Sequence, residues 1–356
     1  MAYISFQPSD FFNTVLYTGT GANDTAITGV GFQPDWTWIK KRSSTSQHVL
    51  TDSSRGVTKQ VFSSTSQVEQ TATDFITSFD VDGFTLGDNA DGTKTGDVNV
   101  TNGATYVSWN WLANGGTTSS NSDGSITSTV QANTTAGFSI VTYSGNQTNG
   151  ATVGHGLGIA PQVVIVKERN GTSGWIVKHT SLTDAGYYLI LNATDAQSTS
   201  ANVWNDTDPS STVFTLGDNT SVNENTLNYV AYCFAEIEGY SKFGSYTGNG
   251  STDGPFAYTG FRPAFVIYKN SSSATDWRMF DNKRNSFNVI DGRLFPNTSD
   301  AENTVQDTVD FLSNGFKLRA TNSGDNGSGN TFIYMAFAEA PFKSGTGATT
   351  IEGTAR

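Results

Sequence analysis

At 356 residues the chain exceeds one ordinary core and fits two or three domains, each large enough to bury its own apolar interior. Its net charge of −12, with 20 scattered Lys and Arg, excludes the clustered basic surface that neutralises nucleic-acid phosphates or holds an anionic membrane. No apolar run reaches the roughly 18 residues of a membrane span, and the sole cysteine, Cys233, leaves no intrachain disulfide.

Charged residues are only 15% of the chain while aromatics reach 12%, and Gly, Ser, Thr and Asn are abundant, a mixture suited to short strands joined by tight turns. The opening MAYISFQPSDFF lacks the basic and apolar regions of a signal peptide, which points to synthesis in a cytoplasm without classical secretion. Tyr17-Thr18-Gly19 comes first in the chain, and Gly31-Phe32-Gln33-Pro34 then leads into an expected strand at Trp36-Thr37-Trp38-Ile39-Lys40. The stretch Val61 to Phe79 is the longest candidate helix, but its Ser and Thr favour strands or loops, so few helices are expected. Asp82-Gly83-Phe84-Thr85-Leu86-Gly87 reads as a turn into a strand, and Tyr106-Val107-Ser108-Trp109-Asn110-Trp111 as the last strand of the series.

The whole series then recurs twice in the same order, which is the signature of an internal repeat. Its opening returns at Tyr143-Ser144-Gly145 and Tyr246-Thr247-Gly248, and its proline-led strand at Val163 to Lys167 and Phe265 to Lys269. Its third signal returns at Val213 to Gly217 and Asn314 to Leu318, and its last strand at Tyr229 to Phe234 and Phe332 to Phe337. Three tandem all-β, antiparallel β-sandwich modules follow, of jelly-roll or concanavalin A-like form, at residues 1–115, 136–240 and 241–343. Residues 116–135, opened by Asn114-Gly115-Gly116, read as a flexible linker, and 344–356 as a C-terminal tail.

Side chains alternate along a strand, so Val107, Trp109 and Trp111 share one face, and their counterparts are Val230, Tyr232 and Phe234 in the second copy and Ile333, Met335 and Phe337 in the third. That face, with Trp36 and Trp38, is the expected core. The opposite face changes from Ser108 and Asn110 to Ala231 and Cys233 and then to Tyr334 and Ala336, which suggests partial exposure or a variable contact.

The phrases GFQPDWTWIKKRS, HVLTDSSRG, FDVDGFTLG and TYVSWNWLA, within residues 15–113, resemble a repeat found in tail and fibre proteins of marine and cyanobacterial bacteriophages. The second and third copies keep the order but lose the tryptophans and the TDSSRG turn. The resemblance implies a virion structural or receptor-binding protein, a tail fibre or a capsid decoration or tail adaptor, with no assigned catalytic centre. Its implied partners are other virion proteins and a host cell-surface glycan or protein.

A glycan hydrolase is the rival, and needs two carboxylates about 5 to 9.5 Å apart across the bond. Glu236 with Glu238, and Asp80 with Asp82, each share one side of a strand next to a glycine turn, where solvated acids are routine. No cofactor motif is present, and His48, His155 and His179 lie apart, without metal-ligand spacing. Asp88 and Asp91 offer an oxygen-rich turn as a weak calcium candidate, although it breaks the ligand pattern of an EF-hand and an ordinary Asx turn is the favoured reading. For sugar stacking the candidates are Trp175, Trp204 and Trp277, with Asn205 and Asp206 beside Trp204, all in turn-rich polar surroundings, although Trp175 and Trp277 each begin an alternating strand, which favours core packing for those two and leaves Trp204 open between the readings. A homotrimer is expected from the avidity that three weak sites give together, with Tyr334 and Ala336 as the apolar patch between copies.

Overall fold

Alternating aromatic and β-branched residues, cut by Gly, Asn and Asp turns, give short strands along the whole chain. The computed structural model describes residues 6–100, 102–304 and 308–339. The first stretch carries β1 (Phe12–Thr18), β2 (Thr25–Thr28), β3 (Trp36–Lys41), β4 (Val49–Asp52), β5 (Lys59–Val61), β6 (Gln70–Thr71), β7 (Ile76–Asp80), β8 (Gly83–Leu86) and β9 (Thr105–Trp111). The second carries β10 (Ser119–Asn121), β11 (Ser128–Asn133), β12 (Phe138–Ser144), β13 (Ala151–Gly154), β14 (Val163–Glu168), β15 (Ile176–His179), β16 (Tyr187–Ile190), β17 (Ser198–Thr199), β18 (Val213–Leu216) and β19 (Asn228–Phe234). The third carries β20 (Ser241–Thr247), β21 (Phe256–Tyr258), β22 (Pro263–Asn270), β23 (Arg278–Asp281), β24 (Val309–Leu312), β25 (Gly315–Leu318) and β26 (Thr331–Ala338). The α-helices among the described residues are single turns, α1 (Ala201–Trp204), α2 (Thr220–Asn223) and α3 (Ser323–Asn326), capped by the side chains of Ser200, Asn219 and Asn322.

Each stretch builds one large sheet, in the orders β1-β9-β3-β4-β5-β6, β10-β11-β12-β19-β14-β15-β16-β17 and β20-β26-β22-β23. Each also builds a small one, β2-β8-β7, β13-β18 and β21-β25-β24. The centres of the large sheets share a register: Trp36, Val163 and Phe265 stand opposite Trp111, Phe234 and Phe337 on one side and Asp52, His179 and Asp281 on the other. The first strands carry the same ring pair in each sheet, Tyr17 on Tyr106, Tyr143 on Tyr229 and Tyr246 on Phe332, stacked at 4.7 to 5.1 Å. The hydroxyls of Tyr17, Tyr143 and Tyr246 donate to the carbonyls of Val98, Val222 and Asp325.

Both faces of every large sheet are buried. The Trp109, Tyr232 and Met335 faces meet in one apolar cluster with residues from all three sheets, including Trp36, Trp38, Trp111, Phe138, Phe265 and Phe337. Trp36 stacks on Tyr232 at 4.3 Å, Phe12 on Phe337 at 5.2 Å, and Phe234 meets Phe337 edge-on at 5.9 Å, so the first sheet touches the second and third and these touch each other. The opposite faces pack on the small sheets: Ile39 and Tyr106 with Phe84 and Leu86, Ala231 and Cys233 with Val153 and Phe214, Tyr334 and Ala336 with Phe311 and Phe316.

Two expectations are corrected here. Ser108, Asn110, Ala231, Cys233, Tyr334 and Ala336 are buried, so this face is a contact and not partly exposed; Ala231, Cys233, Tyr334 and Ala336 pack on the small sheets, and Tyr334 and Ala336 form no outer patch. Residues 116–135 are not a slack linker either. They hold β10 and β11, which extend the second large sheet, and the turn before them is tied down as the N–H groups of Ala113, Gly115 and Gly116 donate to the Asp35 carboxylate at 2.7 to 2.8 Å. The 344–356 tail lies outside the described residues.

Candidate functional site

The seams between the large sheets gather buried charge. At the end of β4, Asp52 accepts from Arg55 Nε at 2.5 Å and from the Tyr232 hydroxyl of β19 at 2.8 Å. Arg55 continues to Glu69 at 2.9 Å, and Glu69 also receives a two-pronged contact from Arg169 at 2.8 and 3.0 Å. Between the third and first sheets the pattern repeats. Asp281 accepts from Arg284 Nε at 2.6 Å and from Trp109 Nε1 at 3.0 Å, while Glu302 bridges Arg284 and the fork of Arg42. The Arg284 guanidinium also lies over the Trp109 ring, 5.6 Å from its centroid.

Between the second and third sheets the same positions hold His179, Leu182 and Met335, without an ion pair, and His179 Nε2 bonds the Tyr334 carbonyl at 3.1 Å. The backbone bond at the rim is kept at all three seams: the N–H groups of Glu69, Gln197 and Glu302 donate to the carbonyls of Arg169, Ser271 and Arg42 at 2.9 to 3.0 Å.

The electrostatics follow from burial. Burial alone would raise the Glu69 and Glu302 carboxyls, yet hydrogen bonds and charge from their arginines hold both below the ordinary range. Burial opposes the Arg55 charge, but Asp52 beside it raises that group instead. Lys40, Lys167 and Lys269 occupy one equivalent position, are fully buried, and are lowered by that burial to about 8. Each Nζ donates to the following residue's carbonyl at 2.6 to 2.7 Å. Burial lowers His179 to about 4 and pushes the Cys233 thiol up to about 12.

The apolar centre encloses a cavity of about 20 Å³, lined by Trp36, Ile165, Ile267 and Met335 among others, with the His179 ring at its wall. A polar lining is what holds a buried water, so this space is a dry packing gap.

The candidates for sugar stacking are buried, so the core-packing reading of Trp175 and Trp277 holds and Trp204 joins them: the three are 0%, 2% and 1% exposed in that order. Trp175 Nε1 donates to the Phe62 carbonyl and Trp277 Nε1 to the Ile190 carbonyl, so each pins its own sheet to the preceding stretch. His48 stands at their position in the first sheet and accepts from Trp38 Nε1 at 2.8 Å. Trp204 closes α1 over the second small sheet. None of the three offers a ring face to a sugar. Asn205 and Asp206 form a left-handed turn behind α1, with φ of 51° and 48°.

The Asp88 and Asp91 oxygens serve local turns, accepting from Asn23 and Ala90 and from Thr93. Among the described residues no group of three His, Cys, Asp or Glu is placed to hold a metal. Glu236 pairs with Lys242 at 2.7 Å, Asp80 accepts from Ser78 and Thr85, and Asp82 accepts from the N–H groups of Gly29 and Gly31. Neither carboxylate pair is brought to another across a cleft among the contacts described.

The sequence did carry one signal of these seams. Asp52 and Arg55 in the TDSSRG turn return as Asp281 and Arg284, so the third stretch retains the charged pair of that turn, and the second replaces it with His179 and Leu182.

The profile of one family, described as a domain of unknown function, DUF7483, matches residues 7–341 as a single span. The chain belongs to this family. The match runs through all three large sheets, so the family is defined on the whole assembly and not on one repeat. No curated protein and no solved structure matches the chain.

Proposed function

We propose that this DUF7483 chain is a bacteriophage virion structural protein, a tail fibre or receptor-binding element without catalysis of its own. In this reading it is three copies of one β-sandwich module, near residues 1–115, 136–240 and 241–343, closed around a common core. The observation that carries it is that core. The apolar faces of three sheets meet in one cluster, with the same seam contacts repeated between them, which is the construction of a stiff three-lobed body. The resemblance of residues 15–113 to repeats of phage tail and fibre proteins supplies the setting.

The threefold arrangement lies within one chain, and the patch that suggested a homotrimer, Tyr334 with Ala336, is buried. The working unit in this reading is therefore a single chain that contacts other virion proteins and a host glycan or protein. An aromatic contact surface is carried by β21, where Phe256 and Tyr258 alternate onto one side at 43% and 63% exposure. Antibody labelling of intact particles tests the proposal: label on the tail or outer surface is expected, and absence of the protein from purified particles overturns it. Reducing sugar released from host polysaccharide by the pure protein would overturn the non-catalytic part.

A further inference from the structure

The three equivalent first strands of the large sheets, β1, β12 and β20, differ at their outer edges. On β12 the edge is covered by β11, with Val130 opposite Val141 and Gln131 opposite Ile140. Gln131 is fully buried and fills the corner between the sheets, accepting from the Ser53 and Ser54 hydroxyls and donating to Asp35 at 2.8 to 2.9 Å. On β20 the corner is closed by the Glu236–Lys242 pair and by Gln162, which accepts from the Glu236 N–H.

On β1 the corner is open. Among the described residues the sheet ends at β1, and a crevice of about 180 Å³ lies beside it, lined by Asn13 and Thr14 and, from the third stretch, by Asn282, Lys283 and Glu339. By register, Asn282 and Lys283 correspond to Ser53 and Ser54, so this is the corner that Gln131 fills at the other seam. Thr14 Oγ1 and Asn282 Oδ1 line the crevice without a hydrogen-bond partner among the described residues, although their residues are only 5% and 9% exposed. The Thr14 N–H is held only by the neighbouring Asn13 side chain, at 3.0 Å. Val15 is half-buried where its counterpart Val141 is fully buried, and Leu16 is 39% exposed. Unsatisfied polar atoms beside an uncovered apolar edge are the mark of a missing strand.

The chain supplies a candidate at the right place. Glu339, on the crevice wall, corresponds to Ala113, from which residues 114–133 run on to lay β11 across β12. Residues 340–356 follow Glu339 and contain Thr349-Thr350-Ile351-Glu352-Gly353-Thr354. That order matches Ser128-Thr129-Val130-Gln131-Ala132-Asn133 of β11: a β-branched apolar residue, then Glu for Gln, then a small residue.

We propose that the open edge of β1 and its crevice are a strand-acceptor site for this chain's own Thr349–Thr354 segment. The segment adds antiparallel to β1, with Ile351 opposite Val15 and Glu352 opposite Thr14. Ile351 covers the Val15 side of the sheet. The Glu352 carboxylate accepts from the Thr14 hydroxyl and faces the Lys283 ammonium. The ten steps from Glu339 to Thr349 span up to about 33 Å, ample for the return to β1. Main-chain ladder bonds supply affinity and the crevice supplies register, as in strand addition generally.

The test is hydrogen exchange across residues 12–18 in the full chain, in full-length Ile351→Asp, and in a chain ending at residue 343. Far-UV circular dichroism serves as the check of folding. The expected result is slow exchange in the full chain, exchange at least tenfold faster in both variants, and recovery in the shortened chain on adding a synthetic peptide of residues 345–356. Equal exchange in all three proteins overturns the proposal. Protection that appears only at concentrations where light scattering shows a dimer overturns it too, since the strand then comes from a second copy.

Discussion

Removing one arginine from a charged seam should cost far more than replacing the whole seam. In Arg55→Met the Asp52 carboxylate, whose pairing side chains are both fully buried, keeps only the Tyr232 hydroxyl and local turn contacts, and Glu69 keeps only Arg169. Breaking one side of a buried pair costs about 3–5 kcal/mol, because an uncompensated charge stays out of water. At roughly 2 °C per kcal/mol for a chain of this size, the Tm should fall by about 6–10 °C. The second-to-third seam shows the alternative, since His179, Leu182 and Met335 fill the same places without charge. The triple change Asp52→His, Arg55→Leu and Tyr232→Met copies that seam and should recover most of the loss, since well-packed apolar replacements of buried ion pairs are often neutral or better. Thermal unfolding by circular dichroism at neutral pH reads both. A single variant as stable as the parent, or a triple variant less stable than the single, would refute the claim that the seams are three solutions of one packing problem.

The equivalent lysines set a pH dependence of definite sign. Lys40, Lys167 and Lys269 hold their protons to about 10.5 when unfolded and only to about 8 when folded. Below pH 8 both states are charged and the burial cost is present in full, so stability should rise between pH 8 and 10.5, by at most about 3 kcal/mol per lysine. Urea midpoints measured across that window check it, and a falling midpoint contradicts it. Trp175→Ala and Trp277→Ala should each lose about 3–5 kcal/mol in equilibrium unfolding, as buried anchors do, whereas Tyr258→Ala should leave the midpoint nearly unchanged. Cys233, fully buried with its thiol pushed up to about 12, should react with Ellman's reagent only as fast as the protein unfolds. Residues 1–115 expressed alone should aggregate, because Trp36, Trp109 and Trp111 would lose the partners that cover them, and a monodisperse soluble monomer would contradict the shared core.

Much of the fold was legible because its signals are local. The tyrosine-glycine opening, the proline-led strand and the aromatic last strand each recur within a few residues, and alternation placed Trp109 on one apolar face with Val107 and Trp111, with Tyr232 and Met335 as its counterparts, but did not show that the three faces share one core instead of lining three. Alternation says which side chains share a face, but not what covers that face. Two buried faces make a strand read as nearly continuous apolar sequence, as YVAYCFAEI does, so the second face of β19 was hidden within the first. The tryptophans left two readings open for a related reason. Gly174-Trp175 and Asp276-Trp277-Arg278 look polar because they stand at strand starts, yet each indole reaches across a seam to a carbonyl far away in sequence. Nothing local marks such a partner.

The seams give each stretch a different set of neighbours to satisfy. A residue such as Tyr232 packs in its own sheet but answers to Asp52 and Arg55 of the preceding stretch, while Trp109 answers to Asp281 and Arg284 of the third. Each seam therefore joins unlike surfaces, one end of a stretch to the middle of another. Where Met335 stands, a polar partner has no use, and Leu182 with His179 replaces the arginine and aspartate across from it. The last strands thus keep their core face apolar throughout while Trp, Tyr and Met exchange at one position, each matched to what it faces. A ring closed in this way has no dispensable third, because removing any stretch uncovers two apolar faces at once, and a family profile that runs unbroken over residues 7–341 is what that constraint would preserve.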